Sequence, residues 1–198
     1  MATVIVVTNQ KGGVGKTTTC AALTGIFRSR DKRVLAIDMD PQGNLSFSLG
    51  AEDEGYTIHD VMTGKCGIRE AIKTTHICDV ITSNILLSGS ELELDSDRRE
   101  FILKGALETV KEDYDYIIID TPPINIVTDV AVMSDSISGV VLVTSYAKTT
   151  LDDVKKSSVA LEKVNAKLLG MVVTGVERKH SSYKKDAVSS YYQSNDDE

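Results

Sequence analysis

Asn9-Gln10-Lys11-Gly12-Gly13-Val14-Gly15-Lys16-Thr17-Thr18-Thr19 lies between an apolar, β-branched run, Thr3–Thr8, and a stretch of helical character over 16–30. Glycines here let consecutive backbone N–H groups turn toward one anion, and a helix N-terminus behind them adds its positive dipole end. Strand, glycine loop and helix in that order read as a phosphate loop. Gly12, Gly13, Val14, Gly15 and Thr18 frame the phosphates, Lys16 reaches the β and γ phosphates of a nucleoside triphosphate, and the Thr17 hydroxyl takes Mg²⁺. A glycine turn beside an incidental lysine is the bland alternative, and it does not require that order. Lys11, at the loop's start, reads equally well as a solvated side chain.

Outward from the loop, apolar runs recur at 33–37, 79–82, Tyr116–Asp120, Gly139–Ser145 and Leu168–Thr174. They are too continuous to alternate with solvent, so they read as buried parallel strands. Helical stretches fall at 16–30, 90–112 and 150–164. In the last, Leu151, Val154, Leu161 and Val164 share one face, and Thr150 with Asp153 has capping-box spacing. Strand alternating with helix predicts a P-loop NTPase fold: a doubly wound, mostly parallel α/β sheet with helices on both faces. Its ligand site belongs at the carboxyl ends of the strands.

Two acidic strand ends extend the site. The second run ends Ile37-Asp38-Met39-Asp40-Pro41-Gln42-Gly43-Asn44. A carboxylate directly after a buried strand, at the edge that carries the loop, faces a metal and its water shell; Asp40 points the same way if the two-residue period continues. Near a γ phosphate one carboxylate orients the attacking water and another holds the metal, against the plainer reading of an Asp-Pro-Gly turn. The later run ends Ile117-Ile118-Ile119-Asp120-Thr121-Pro122-Pro123. Its closing aspartate meets the Mg²⁺ hydration shell, so the expected metal set is Thr17, Asp38 and Asp120.

The 198 residues carry 22 basic and 29 acidic side chains, a formal charge of -7, and 41% are hydrophobic. That suffices for one domain, expected over 1–180, with a polar tail over 181–198. No apolar stretch approaches the ~20 residues that cross a bilayer, and no basic segment opens the chain, which disfavours membrane spanning and secretion. Cys20, Cys66 and Cys78 lack CxxC spacing, and His59, His76 and His180 are scattered. Neither set supports a disulfide framework or a zinc site, and a reducing cytoplasm fits.

The run Lys11-Gly12-Gly13-Val14-Gly15-Lys16-Thr17 resembles the deviant Walker A motif of the ParA/MinD superfamily. Asp38-Met39-Asp40-Pro41-Gln42-Gly43-Asn44 resembles the ParA switch I segment, and Asp120-Thr121-Pro122-Pro123 matches the same superfamily. Residues 1–50 are similar to ParA partition ATPases almost position by position, and 51–123 more loosely. The resemblance implies ATP and Mg²⁺ as ligands, with Lys11, Lys16 and Asp40 as catalytic residues. It implies a nucleotide-sandwich homodimer in which Lys11 reaches the partner subunit's nucleotide, as an arginine finger does elsewhere, and Asp40 positions water. It further implies slow turnover that changes state rather than makes product, in plasmid or chromosome partition, stimulated by a ParB-like centromere-binding protein. The implied location is the cytoplasm, on the nucleoid when DNA is bound.

Residues 124–129, 139–144 and 169–176 are more similar to the bacterial tyrosine autokinases of capsule synthesis, which also end in tyrosine-rich tails, here Tyr183, Tyr191 and Tyr192. Lys11 and Asp40-Pro41-Gln42-Gly43 depart from the autokinase pattern and favour the ATPase switch. An ATP-gated scaffold for a cargo other than DNA is a further alternative. Lys155, Lys156, Lys163, Lys167, Arg178, Lys179, His180, Lys184 and Lys185 form a candidate patch for non-specific duplex DNA, against a merely solvated face. No helix-turn-helix precedes the first strand, and the acidic, aperiodic residues 190–198 disfavour membrane attachment of the MinD kind. Residues 174–178, at a strand's carboxyl end, are the expected neighbourhood of the adenine ring.

Overall fold

Strand β1 (Thr3–Thr8) lies inside a seven-stranded sheet in the computed structural model, which describes residues 1–51, 54–89, 96–123 and 136–177, the side chains of 96–100 excepted. The other strands are β2 (Val34–Asp38), β3 (Ile72–Thr74), β4 (Asp79–Ile81), β5 (Tyr116–Asp120), β6 (Gly139–Ser145) and β7 (Leu168–Thr174), arranged β3-β4-β2-β5-β1-β6-β7. Neighbours are parallel except β3 with β4. The helices are α1 (Lys16–Arg28), α2 (Asn44–Ser48), α3 (Ile58–Met62), α4 (Ser96–Glu108) and α5 (Leu151–Lys163), with a 3-10 turn at Ile68–Ala71.

Because successive side chains of a strand face opposite ways, the inner strands feed two cores. Val4, Val6, Leu35, Ile37, Ile117 and Ile119 pack with residues of α3, α4 and α5, whereas Ile5, Val7, Ala36, Ile118 and Val143 pack with α1 and α2. Each of the valine, leucine and isoleucine side chains contributes roughly 1.5–3 kcal/mol on burial. Phe27 of α1 stacks on Tyr116 of β5, ring centroids 3.9 Å apart. The chain leaves β1 through α1 toward β2, while β6 and β7 lie on the other side of β1. That reversal opens a crevice at the carboxyl end of β1, where a doubly wound sheet takes its ligand.

The elements depart from the sequence expectation where local signals are thin. β3 is three residues long and α2 and α3 five each, too short to show a period. α1 stops at Arg28, and Asp31 takes a left-handed φ of 57° in the turn that follows. α4 is shorter than the expected 90–112, of which 90–95 lie outside the described residues. Leu151 is not on the packed face of α5: as the first helical residue it is 80% exposed, while Leu161 is buried and Val154 and Val164 pack partly. β7 is not buried like the inner strands, since it is the sheet's edge in the described structure and Leu168, Leu169, Met171 and Val173 stay half-exposed. Among the described residues no helix is long and apolar enough to cross a membrane.

Gly139 admits an irregularity between β6 and β7, where Val140 pairs with Leu168 but Val141 with Gly170. The skipped Leu169 folds over the glycine: a Cβ there would lie 2.5 Å from Leu169 Cγ and 2.8 Å from the Lys167 carbonyl oxygen. The leucine can swing away, the carbonyl cannot without shifting β7. Gly139→Ala is therefore expected to cost about 1–3 kcal/mol, lowering the midpoint of a thermal melt by roughly 2–10 °C. A midpoint within 1 °C of wild type would show that β7 gives way freely.

Candidate functional site

The loop after β1 is held by the two strands on one side of it, β6 and β7. Asn9 is buried; its Nδ2 donates to the Val143 carbonyl of β6 and its Oδ1 accepts from Lys11 N at 2.9 Å. From β7, the Thr174 hydroxyl donates to the Val14 carbonyl at 2.7 Å, with the Thr144 carbonyl as a second, more distant acceptor for the same proton at 3.1 Å. Gly15 precedes α1 with φ 98°, and a Cβ there would meet Thr174 Cγ2 at 3.0 Å. The turn thus demands glycine twice over, for its left-handed backbone and for its packing. Thr174, expected near an adenine ring, sits behind the loop and spends its hydroxyl on the loop backbone; Arg178 lies outside the described residues.

A cleft of about 450 Å³ opens over the loop, lined by Gly12, Gly13, Gly15, Lys16, Thr17 and Thr18 on one side and by Asp40, Asn44, Ser48 and Pro123 on the other. Lys16 is 6% exposed, its Nζ 3.5 Å from the Lys11 carbonyl. Burial holds its pKa below the usual lysine range, against the pull of Asp120 and Asp40. Such a poorly hydrated ammonium needs an anion, and a glycine loop of this kind ahead of a helix points to a polyphosphate.

Asp38 and Asp120 stand side by side in the β2–β5 register, both buried. Thr17 Oγ1 donates to Asp120 Oδ2 at 2.6 Å, whereas Asp120 Oδ1 is buried with no hydrogen-bond partner among the described residues. Burial pushes the Asp120 carboxyl up to about 6, with the Thr17 hydroxyl opposing and Asp38 adding to the rise. The buried Cys20 thiol lies against the same carboxylate, and its own pKa is raised well above normal by burial. A hydroxyl beside a carboxylate with an orphaned oxygen is a donor set suited to a hard divalent cation. Among the described residues no three His, Cys, Asp or Glu side chains converge to cage a metal alone, so most ligands would be water and phosphate, as Mg²⁺ prefers.

The Asp38 carboxylate is already taken by protein donors. Oδ1 accepts from Asp40 N at 3.0 Å, and Oδ2 from Ser46 N at 2.9 Å and Ser46 Oγ at 2.8 Å. Ser83 N in turn donates to Ser46 Oγ at 3.1 Å, tying the start of α2 to the end of β4. Burial raises the Asp38 pKa and these donors oppose the rise. Asp38 therefore anchors the segment that carries Asp40 rather than facing the cleft with a free oxygen. Asp40 lines the cleft, its Oδ1 accepting from Gln42 N at 3.0 Å.

Lys11 is turned onto its own chain, donating to the Lys148 carbonyl and pairing with Asp153. Sequence reasoning missed Asn9, Asn44, Ser46, Ser48 and Lys148. Asn44 continues the Asp-Pro-Gln-Gly string, but the others carry little local signal, since Asn9 bonds Val143, Ser46 bonds Ser83, Lys148 bonds Gly13 and Lys11, all distant in the chain, and Ser48 joins the site only by lining the cleft. Of the candidate DNA patch, Lys155, Lys156 and Lys163 are exposed on α5 and Lys167 just beyond it. Arg178, Lys179, His180, Lys184 and Lys185, with Tyr183, Tyr191 and Tyr192, lie outside the described residues.

Comparison with known proteins agrees with this geometry. The family model AAA_31, an AAA domain, matches residues 2–169. The chain is 47% identical over 128 residues to the sporulation initiation inhibitor protein Soj of Bacillus subtilis, covering 62% of this chain and 51% of that protein. It is 44% identical over 126 residues to the chromosome-partitioning ATPase Soj of Treponema pallidum, covering 62% and 49%. The chain thus spans about half the length of these curated relatives. The structure of cobyrinic acid a,c-diamide synthase from Mycobacterium smegmatis with bound ATP analog and magnesium superposes with a TM-score of 0.78 at 28% identity, covering 98% of this chain and 82% of that one. A family match over most of the chain, together with the glycine loop and its two acidic strand ends, shows that the chain belongs to the AAA_31 family of AAA domains and stands with the ParA/Soj-type deviant Walker A proteins within it.

Proposed function

We propose that the chain is a ParA-like, Mg²⁺-dependent ATPase switch. It binds ATP over the glycine loop, closes into an ATP-sandwich homodimer, binds duplex DNA non-specifically in that state, and leaves it by slow hydrolysis. The observation that carries this reading is the convergence of Lys16, Thr17 and Asp40 on one cleft at the carboxyl end of β1, with Asp120 buried behind Thr17 and bonded to its hydroxyl.

In that site the N–H groups of Gly12, Gly13, Val14, Gly15 and Thr18 cradle the phosphates, and the half-dehydrated Lys16 ammonium draws charge toward the β–γ bridge more strongly than an exposed lysine. Thr17 and Asp120 would hold Mg²⁺ here, and the ion would supply positive charge to offset that of the phosphates. Asp40 accepts a hydrogen bond from the attacking water and aims it at the γ phosphorus. Asp38 serves the metal region from behind, holding the Asp40 segment in register. Lys11 crosses to the partner subunit's nucleotide and adds positive charge there. Phe47 at 86% and Leu151 at 80% exposure, in the segments that follow β2 and β6, are apolar side chains that a second copy could cover.

Lys155, Lys156, Lys163 and Lys167 of two subunits together supply phosphate contacts for DNA. The role proposed on the strength of the family setting is plasmid or chromosome partition, in the cytoplasm and on the nucleoid, with a ParB-like protein that stimulates turnover. The test compares duplex-DNA binding with ATP and with ADP across a salt series, and ATPase rates with DNA and a ParB-like protein. Retention that needs ATP and falls steeply with salt is expected. Equal retention with both nucleotides would remove the DNA switch, no retention with either would favour a scaffold, and phosphate on Tyr183, Tyr191 or Tyr192 would favour an autokinase.

A further inference from the structure

Lys11 Nζ donates to the Lys148 carbonyl at 2.8 Å and to Asp153 Oδ2 at 2.6 Å, both in its own chain. That carboxylate oxygen is fixed independently of the lysine. It accepts from Thr150 N at 2.9 Å and Thr150 Oγ1 at 2.7 Å in the capping box of α5. Lys148 Nζ donates back to the Gly13 carbonyl at 3.2 Å, so the β6–α5 turn and the glycine loop are clasped at two points. The acceptor for Lys11 therefore stays in place whether or not the lysine occupies it.

We infer that Asp153 is a positioning residue that parks Lys11 in cis and thereby sets how readily a second copy of this chain assembles on nucleotide. The inference rests on the trans role of Lys11 proposed above. An ammonium has three donors on one flexible stem, and two are committed in the parked state, so the side chain must leave both acceptors before it can cross the interface. The pair is partly exposed, 38% for Lys11 and 33% for Asp153, which limits the hold. At the usual strength of such pairs it amounts to about two- to fivefold per subunit. Two lysines leave per dimer, so the factors multiply to about four- to 25-fold in the association constant. A triphosphate with several negative oxygens outbids one carboxylate, so the parking yields when nucleotide is bound and holds when the site is empty.

Asp153→Asn separates these roles, because the amide oxygen can still accept the two Thr150 bonds while its attraction for an ammonium falls. In the full chain with Mg²⁺ and a non-hydrolysable ATP analogue, sedimentation should show the variant associating about four- to 25-fold more tightly than wild type. In nucleotide-free protein, a lysine-acylating reagent read by mass spectrometry should label Lys11 faster in the variant, with Lys155 and Lys156 unchanged. Should the variant fold poorly, raising the salt on wild-type protein screens the pair and should raise Lys11 labelling relative to Lys155. Unchanged Lys11 labelling in both experiments would overturn the parking. Unchanged or weaker association, while Lys11→Ala still weakens the dimer, would overturn its control of assembly. A dimer indifferent to Lys11→Ala would instead overturn the trans role itself.

Discussion

Lys16→Ala is expected to lower the affinity for Mg²⁺-ATP about a hundredfold in calorimetry. Lys16 as a whole is 6% exposed and its ammonium is partly desolvated, so its contacts with phosphate oxygens form at reduced desolvation cost. Two charge-assisted contacts at about 1.5 kcal/mol each give that factor, since each ~1.4 kcal/mol is tenfold. Folding should change far less. The substitution relieves the cost of burying a cation and leaves Asp40 and Asp120 without their counter-charge, and these effects oppose one another. An affinity within threefold of wild type would mean the phosphates sit elsewhere.

Asp40→Ala should do the reverse: keep ATP binding within a few-fold and cut hydrolysis by about 10²–10⁴. Asp40 lines the cleft opposite the glycine loop and is held there by backbone bonds from Asp40 N to Asp38 and from Gln42 N to its own carboxylate. The substitution removes the carboxylate without breaking the Asp38–Ser46–Ser83 anchor. The dimer should consequently accumulate with ATP and persist, as seen by sedimentation. A wild-type rate in single-turnover hydrolysis would assign water positioning to another group.

These predictions draw on parts of the molecule that differ in how legible they were. The strand starts and ends of β1, β5, β6 and β7 agree with the apolar runs because long β-branched stretches can be satisfied only as strands. Gly12, Gly13, Gly15, Lys16, Thr17, Thr18 and Asp40 line one cleft, and Thr17 pairs with the buried Asp120. Their spacing is imposed by a local requirement, a turn that exposes N–H groups ahead of a helix. Asp38 shows the limit of that reasoning. Its position after β2 predicted a metal-facing carboxylate, but Ser46 and the Asp40 backbone have claimed both oxygens. Leu151 shows another, because helical periodicity assigns a face but cannot tell whether the sheet extends beneath the first turn.

Chemistry confined to neighbours in the chain was therefore written in the order of residues: the glycine turn, the lysine after it, the aspartates that close strands, the Thr150–Asp153 cap. Folding alone decided which strands flank β1, which serine occupies Asp38, and that Lys11 rests on Asp153, 142 residues away. The division has a physical cause. A turn or cap lowers its free energy through groups a few residues apart, whereas a buried carboxylate or a lysine's resting place depends on whichever donor or acceptor the sheet order carries to it.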